Sequence, residues 1–382
     1  MRVCGIISAM KDRNPFVIYG YEGPETFCDR EVESEKLLQA IANGRNVTLL
    51  AERRIGKTGL IQHVFQKLRA RGLTQVVYVD IFATRNLEEF TKTFAAAIIG
   101  LMDSNVERAL EAATRFFKSF RPVLAVDPIT GAHTFSFGLQ ALPNVEATLK
   151  ECFAYLATRG NCVVAIDEFQ QVGCYPEKGT EALLRSYVQF LPETRFIFAG
   201  SKHHLMVEMF ATAKRPFYNS TQTIPLERID HEKYFDFASY HLTKAGVRLT
   251  REVFDQITQL FDGITWYVQV MLNRLYERRS ATAEDVRSVV GELLSEKNWE
   301  YATLLKTLPE GTVLLLKAVA LAGRAKAVTS ADFMATHRLK GSSSVHLSLK
   351  SALEDELLYE TDDGYVVYDR LFGLWLTQHY AR

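Results

Sequence analysis

Ala51-Glu52-Arg53-Arg54-Ile55-Gly56-Lys57-Thr58 sets a glycine, a lysine and a hydroxyl side by side. Those three residue types suit a chain of phosphates. The glycine lets backbone approach an anion, the lysine ammonium can reach the β- and γ-phosphates, and the threonine hydroxyl can ligate Mg²⁺. Ala51 stands where the first glycine of such a loop is expected, a small residue for a smaller one. Well downstream, Cys162-Val163-Val164-Ala165-Ile166-Asp167-Glu168 ends an apolar run in two carboxylates. Asp167 is suited to hold the same metal ion through water, beside Thr58. Glu168 is suited to orient or deprotonate an attacking water. Carboxylates at the end of a buried strand must meet a cation or carry a large desolvation cost. The alternative is a pair of acids at a helix N-cap.

These residues need a strand before the loop and a helix after it. Val47-Thr48-Leu49-Leu50 is apolar and β-rich, and Leu60, Ile61, Val64, Phe65 and Leu68 recur at helical spacing. A helix N-terminus offers free N–H groups and a partial positive charge to phosphate. Further strands are expected at 75–82, 162–167, 195–200 and 221–226, with helices over 87–102, 105–119, 145–158 and 180–190. Strand–helix alternation implies a parallel sheet covered on both faces. The expected fold is α/β: a P-loop core with an additional strand between the loop strand and the Asp167 strand. Residues 121–138 read as a hairpin inserted into that core, with a turn at Asp127-Pro128-Ile129-Thr130-Gly131. The core is expected over 1–228, a helical lid over 229–304 and a winged helix over 305–382. The winged-helix reading rests on helices at 312–322, 330–336 and 345–358, a capping stretch Gly341-Ser342-Ser343-Ser344, and a hairpin turning at Asp362-Asp363-Gly364. A last apolar helix is expected over 371–378.

Composition bounds the partners. Of 382 residues, 47% are hydrophobic and 24% charged, which supports packed cores rather than disorder. The formal net charge is zero, so no overall basic field draws the chain to nucleic acid. Cys4, Cys28, Cys152, Cys162 and Cys174 show no metal-ligand spacing, and their odd number suggests reduced thiols in a cytoplasm. No apolar run suffices to span a bilayer. Residues 3–10, after Arg2, lack the length and cleavage site of a signal peptide, and Met10 is a candidate alternative start.

The chain resembles the archaeal-type ATPase family, a branch of P-loop ATPases near the signal-transduction ATPases with numerous domains and the AAA+ origin-recognition proteins. The resemblance is carried by Asn14-Pro15-Phe16, Phe27-Cys28-Asp29-Arg30-Glu31, Arg53 to Thr58, Ile166-Asp167-Glu168-Phe169, Gly200-Ser201, Lys214-Arg215-Pro216-Phe217-Tyr218 and Asp369-Arg370-Leu371-Phe372. It implies ATP and Mg²⁺ as cofactors. Nucleotide contacts would come from Phe27 and Arg30, in the box that meets adenine and ribose, and from Ala51, Arg54, Ile55, Gly56, Lys57, Thr58 and Gly59. Metal contacts would come from Thr58 and Asp167. Catalysis would fall to Glu168 and Lys57, with Ser201 as a γ-phosphate sensor and Arg215 as an arginine finger offered to a neighbour's nucleotide. Ser201 reads equally as a helix N-cap, and Lys214-Arg215 as a solvated pair before a proline. Arg53 and Arg54 either add charge to the loop or face solvent. Gly263-Ile264-Thr265 stands where the signalling ATPases carry Gly-x-Pro, and threonine replaces the proline with which their lid reaches the nucleotide.

The leading function is an ATP-driven switch with slow hydrolysis, self-association and a protein client among its expected partners. A second reading is an ATP-regulated DNA-binding regulator whose recognition helix spans 342–356. That helix carries Lys350 but also Glu354 and Asp355, and the wing tip is acidic. DNA affinity draws on phosphate neutralisation by Lys and Arg, so DNA is not the favoured partner. Arg338 and Lys340, just before the helix, leave a weak positive edge. Intact Lys57, Thr58, Asp167 and Glu168 argue against a degraded loop that only scaffolds. Guanine specificity is not expected.

Overall fold

The computed structural model describes residues 13–72, 75–102, 106–118, 123–126, 133–136, 144–361 and 363–380. Cys4, Met10, Asp362 and the Asp127–Gly131 turn lie outside them.

Five short runs of β-branched and apolar residues form one parallel sheet: β1 (Val47–Leu50), β2 (Gln75–Asp80), β5 (Cys162–Asp167), β6 (Thr194–Gly200) and β7 (Gln222–Pro225). The order is β2-β5-β6-β1-β7, so β6 lies between the loop strand and the Asp167 strand as expected. Every residue of β5 is buried, as a central strand covered on both faces must be. Alternate side chains feed two cores. Val76, Val163, Ala165, Ile197 and Ala199 join Leu60, Ile61, Val64 and Phe65 of α2 (Lys57–Ala70) and Leu37 of α1 (Glu31–Ala42). Val77, Val164, Ile166, Phe196 and Phe198 join Phe90 and Phe94 of α3 (Leu87–Ile99), with residues of α4 (Val106–Phe116) and Leu149 and Phe153 of α5 (Val145–Arg159). Leu184 of α6 (Thr180–Val188) and Met206 and Met209 of α7 (His203–Ala211) complete that second core. The inserted hairpin is present, with β3 (Val123–Val126) antiparallel to β4 (His133–Ser136).

The chain divides into two compact units. The first runs to His241 and takes in Gly263–Asn273; the second comprises Leu242–Asp262 and Arg274–Arg382. In chain order, α8 (His231–Lys244), α9 (Arg251–Leu260), α10 (Thr265–Arg278) and α11 (Ala283–Thr307) follow the sheet. In the first unit, Asn14 donates to the Asn273 carbonyl at 2.9 Å and Asn273 donates to the Phe16 carbonyl at 2.8 Å. With Phe16 fully buried, the Asn-Pro-Phe opening is an anchor for α10.

The second unit ends in α12 (Glu310–Ala322), α13 (Ala331–Thr336), α14 (Ser342–Glu354), the antiparallel pair β8 (Leu358–Thr361) and β9 (Gly364–Val367), and α15 (Arg370–Tyr380). Ser342 to Ser344 form the first turn of α14 rather than a capping stretch, and the N-cap position falls on Gly341 without a side-chain bond. Ala325 and Tyr365 exchange two backbone hydrogen bonds of 2.9 Å, adding a third short edge to the hairpin. Gly364 has φ 124° there, and a Cβ would sit 2.6 Å from the Ala325 carbonyl oxygen. Asp369 accepts from the N–H groups of Leu371 and Phe372, capping α15, while Arg370 pairs with Asp262 at 2.8 Å.

Candidate active site

The turn from β1 into α2 carries the glycine–lysine–threonine group to the carboxyl end of the sheet. Gly56 adopts φ 102°, a left-handed conformation that releases the chain into α2 with Lys57 as its first residue. Arg54 is left-handed as well, at φ 67°. Carbonyls of this loop are occupied from outside. Trp266 N–H donates to Arg54 O at 3.0 Å, the Thr265 hydroxyl to Ile55 O at 3.2 Å, and buried Arg30 reaches Ile55 O at 3.4 Å and Glu227 O at 2.6 Å. Oxygens committed in this way do not oppose an anion entering the loop.

Lys57, Thr58, Asp167 and Glu168 line one cavity of about 360 Å³, together with Arg30, Arg53 to Gly56, Gly59, Phe27 and Thr265. The Thr58 hydroxyl donates to Asp167 Oδ2 at 2.9 Å, so the two residues expected to share a metal ion meet. The Tyr78 hydroxyl, from β2, donates to the same oxygen at 2.7 Å. Burial and the Asp167 charge raise the Tyr78 phenol well above its usual value, so it stays a donor. Lys57 bonds Glu52 O at 2.8 Å and Ala51 O at 3.3 Å. Burial depresses its ammonium below the ordinary lysine value, and the Glu168 and Asp167 carboxylates oppose that fall. Asp80, paired in register with Asp167, is raised by burial and by those same two carboxylates.

Glu168 leaves β5 in a left-handed conformation, φ 58°. Its Oε2 accepts from the Ser201 hydroxyl at 2.6 Å and from Gln170 Nε2 at 2.5 Å. Neither Glu168 nor Ser201 is a side-chain helix cap: the turn Phe169–Cys174 has no such bond, and α7 has Lys202 at its N-cap. Ala51 is buried beneath the loop. Also along the lining, Phe27 stacks on His63, ring centroids 4.4 Å apart, and the Tyr21 hydroxyl contacts His63 Nδ1 at 2.8 Å. Gly59 permits that approach, because its Cβ would lie 3.3 Å from the Phe27 ring.

Arg53 lies over the Phe82 ring at 5.8 Å, and Arg54 stacks on Trp266 and Tyr267 at 4.9 and 5.1 Å. Arg215 is outside the cavity. It pairs with Glu181, and with Glu208 at 3.4 Å, rather than standing as a solvated pair with Lys214. Tyr78, Gln170, Tyr21 and His63 are among the participants that sequence reasoning missed. Gln170 follows the Asp-Glu pair by two positions, but nothing periodic marks its side chain as turned back on Glu168.

Residues 27–271 match a family described as an ATPase domain predominantly from Archaea. Residues 299–378 match one described as "Probable winged helix domain". Among solved structures, the Walker-type ATPase PABY2304 of Pyrococcus abyssi is similar at 18% identity and TM-score 0.66, covering 95% of this chain and 99% of that one. The ORC2 protein of Aeropyrum pernix, in ADPNP-ADP complexes, is similar at 17% identity and TM-score 0.58, covering 97% and 99%. A comparison with curated proteins returns no match.

Proposed function

The chain belongs to the family of ATPase domains predominantly from Archaea, with a C-terminal winged helix, and on that premise we propose that it binds ATP with Mg²⁺ and hydrolyses it slowly as a molecular switch. The observation that carries this reading is the convergence of Lys57, Thr58, Asp167 and Glu168 on one cavity, with Thr58 and Asp167 in hydrogen-bond contact. The cavity falls in the range of small-ligand sites, roughly 300–1,000 Å³. Hydroxyl and carboxylate oxygens form a donor set that suits Mg²⁺, which keeps most of its waters and takes a few oxygen ligands.

Bound Mg²⁺ would supply charge neutralisation across the β- and γ-phosphates. Thr58 and Asp167 would hold it, and Tyr78 keeps Asp167 Oδ2 oriented. Lys57 would turn from the loop carbonyls to the outer phosphates. Glu168 would accept the proton of the attacking water, with Ser201 beside it. Phe27 and its aromatic neighbours would receive the base. Thr265 and Trp266, bonded to the loop that holds the phosphates, would report its state to α10, despite the absence of the proline expected there. The lid is taken as residues 229–304.

The winged helix is proposed as a protein-contacting element rather than a DNA reader. Lys350 on α14 is turned to Glu354 at 3.9 Å, Lys326 to Asp363 at 3.7 Å, and Leu347 is 68% exposed on the same helix. Among the described residues no helix is long and apolar enough to cross a membrane; a cytoplasmic place rests on cysteine usage. Calorimetric titration of the full chain with Mg²⁺–ATP, followed by phosphate release, tests the function: binding with slow turnover is expected, and absence of binding overturns it.

A further inference from the structure

Gln170 is 1% exposed, yet one end of its carboxamide is left without a partner. Nε2 donates to Glu168 Oε2 at 2.5 Å, while Oε1 is buried and unbonded. An ionised carboxylate only accepts hydrogen bonds, so the NH₂ end must face Glu168 and the oxygen must face away. A side chain that merely filled this space would be apolar and would leave no orphan oxygen. The orphan is therefore a cost carried for the bond that the other end makes.

The surroundings are built around that bond. Gln170 rides on the short turn Phe169–Cys174, whose Phe169 and Val172 are buried in the core of the sheet face. A Cβ on Gly200 would lie 2.3 Å from Gln170 Oε1 and 2.7 Å from Met206 Sδ. Glycine at position 200 thus makes room for the carboxamide, and Ser201, the next residue, donates to the same Glu168 oxygen. With the Ser201 N–H also donating there at 3.4 Å, these bonds all fall on Oε2, so none of the donors occupies Oε1. Glu168 follows β5 on a left-handed residue and has a flexible side chain. Three donors on one oxygen fix its rotamer and reserve the other oxygen for a proton.

We propose that Gln170 is a positioning residue for the carboxylate of Glu168 in ATP hydrolysis. The inference rests on the function proposed above, in which Glu168 takes the proton of the attacking water. Gln170 acts through Glu168 and has no part in holding nucleotide.

The test uses the full chain with Mg²⁺–ATP and four variants: Gln170→Met, Gln170→Glu, Glu168→Gln and Gln170→Met with Glu168→Gln. Methionine keeps the length and removes both the donor and the orphan. Glutamate keeps the shape and replaces the amide donor with a second carboxyl, which can bond Glu168 only by sharing a proton with it and so competes for the proton the base must take. Phosphate release, equilibrium ATP affinity and thermal unfolding are measured on each. Gln170→Met and Gln170→Glu are expected to slow release by about 10- to 100-fold, the cost of a misplaced catalytic group. ATP affinity should stay within about twofold, because the phosphate contacts are untouched. Gln170→Met should unfold at the wild-type temperature or above it, since removing a buried orphan with its partner bond is close to neutral. In the Glu168→Gln background, Gln170→Met should cost nothing further, as expected of groups acting as a unit. Wild-type or faster turnover of both Gln170 variants beside a slowed Glu168→Gln would overturn the role of Gln170 alone. So would an equal loss in both backgrounds, which marks a structural role. Wild-type turnover by Glu168→Gln would overturn the proposed function and this role with it.

Discussion

Lys57 is buried where its ammonium has two loop carbonyls and two nearby carboxylates for company. An ammonium in that place binds ATP through charge-assisted bonds to the outer phosphates. Lys57→Ala is expected to weaken ATP binding at least about a hundredfold, since hydrogen bonds to charged groups contribute roughly 1.5–3 kcal/mol each. Calorimetry decides, and unchanged affinity would remove the lysine from the site. Glu168→Gln keeps the shape and loses the ability to accept a proton. It should bind ATP normally and release phosphate about 10²–10⁴ times more slowly, the usual weight of a general base. Residue types at 56–58 and 167–168 were readable without a structure because their chemistry is local. The pairing of Thr58 with Asp167 was readable too, but the Tyr78 and Gln170 partners were not.

Two contacts between short elements have measurable signatures. Arg215 links the loop after α7 to α6 and α7 through Glu181 and Glu208. Burial raises the Glu181 carboxyl, while the Arg215 charge works against that rise. Arg215→Ala would leave Glu181 half-buried and unpaired, so a lower unfolding temperature is expected. Phosphate release per folded molecule should be unchanged across protein concentrations. A loss that appears only at high concentration would support the arginine-finger role in trans. In the wing, Gly364→Ala would force a Cβ to within 2.6 Å of a backbone oxygen at φ 124°. Strain of this kind costs about 1–3 kcal/mol. The expected readout is loss of hydrogen-exchange protection at the Ala325 and Tyr365 amides, with the sheet of the first unit unaffected.

At the scale of the whole molecule, zero net charge and lysines paired with acids leave the winged helix little to offer a phosphate backbone. Full-length protein, with and without Mg²⁺–ATP, should bind duplex DNA no more tightly than the non-specific range, roughly 10⁻⁴–10⁻⁶ M at physiological salt. Tight, salt-sensitive binding in a fluorescence titration would promote the regulator reading. The sequence alone determined the phosphate loop, the Asp167 strand, the additional-strand sheet and the winged helix. Each is written in contiguous residues: strand, loop and helix follow one another over 47–70, and five apolar residues before Asp167 describe a strand buried on both faces. The helices Glu31–Ala42 and His203–Ala211 escaped notice. Tertiary structure decided what through-space proximity alone can decide. Within the expected strand order, the fold brought the Ser201 hydroxyl onto Glu168, register with β5 brought Tyr78 to Asp167, and the turn after β5 folded Gln170 back. Arg30 went beneath the loop and Arg54 onto Trp266 and Tyr267. A buried polar side chain leaves no period in a sequence; its role is set by which distant donor or acceptor the fold delivers to it.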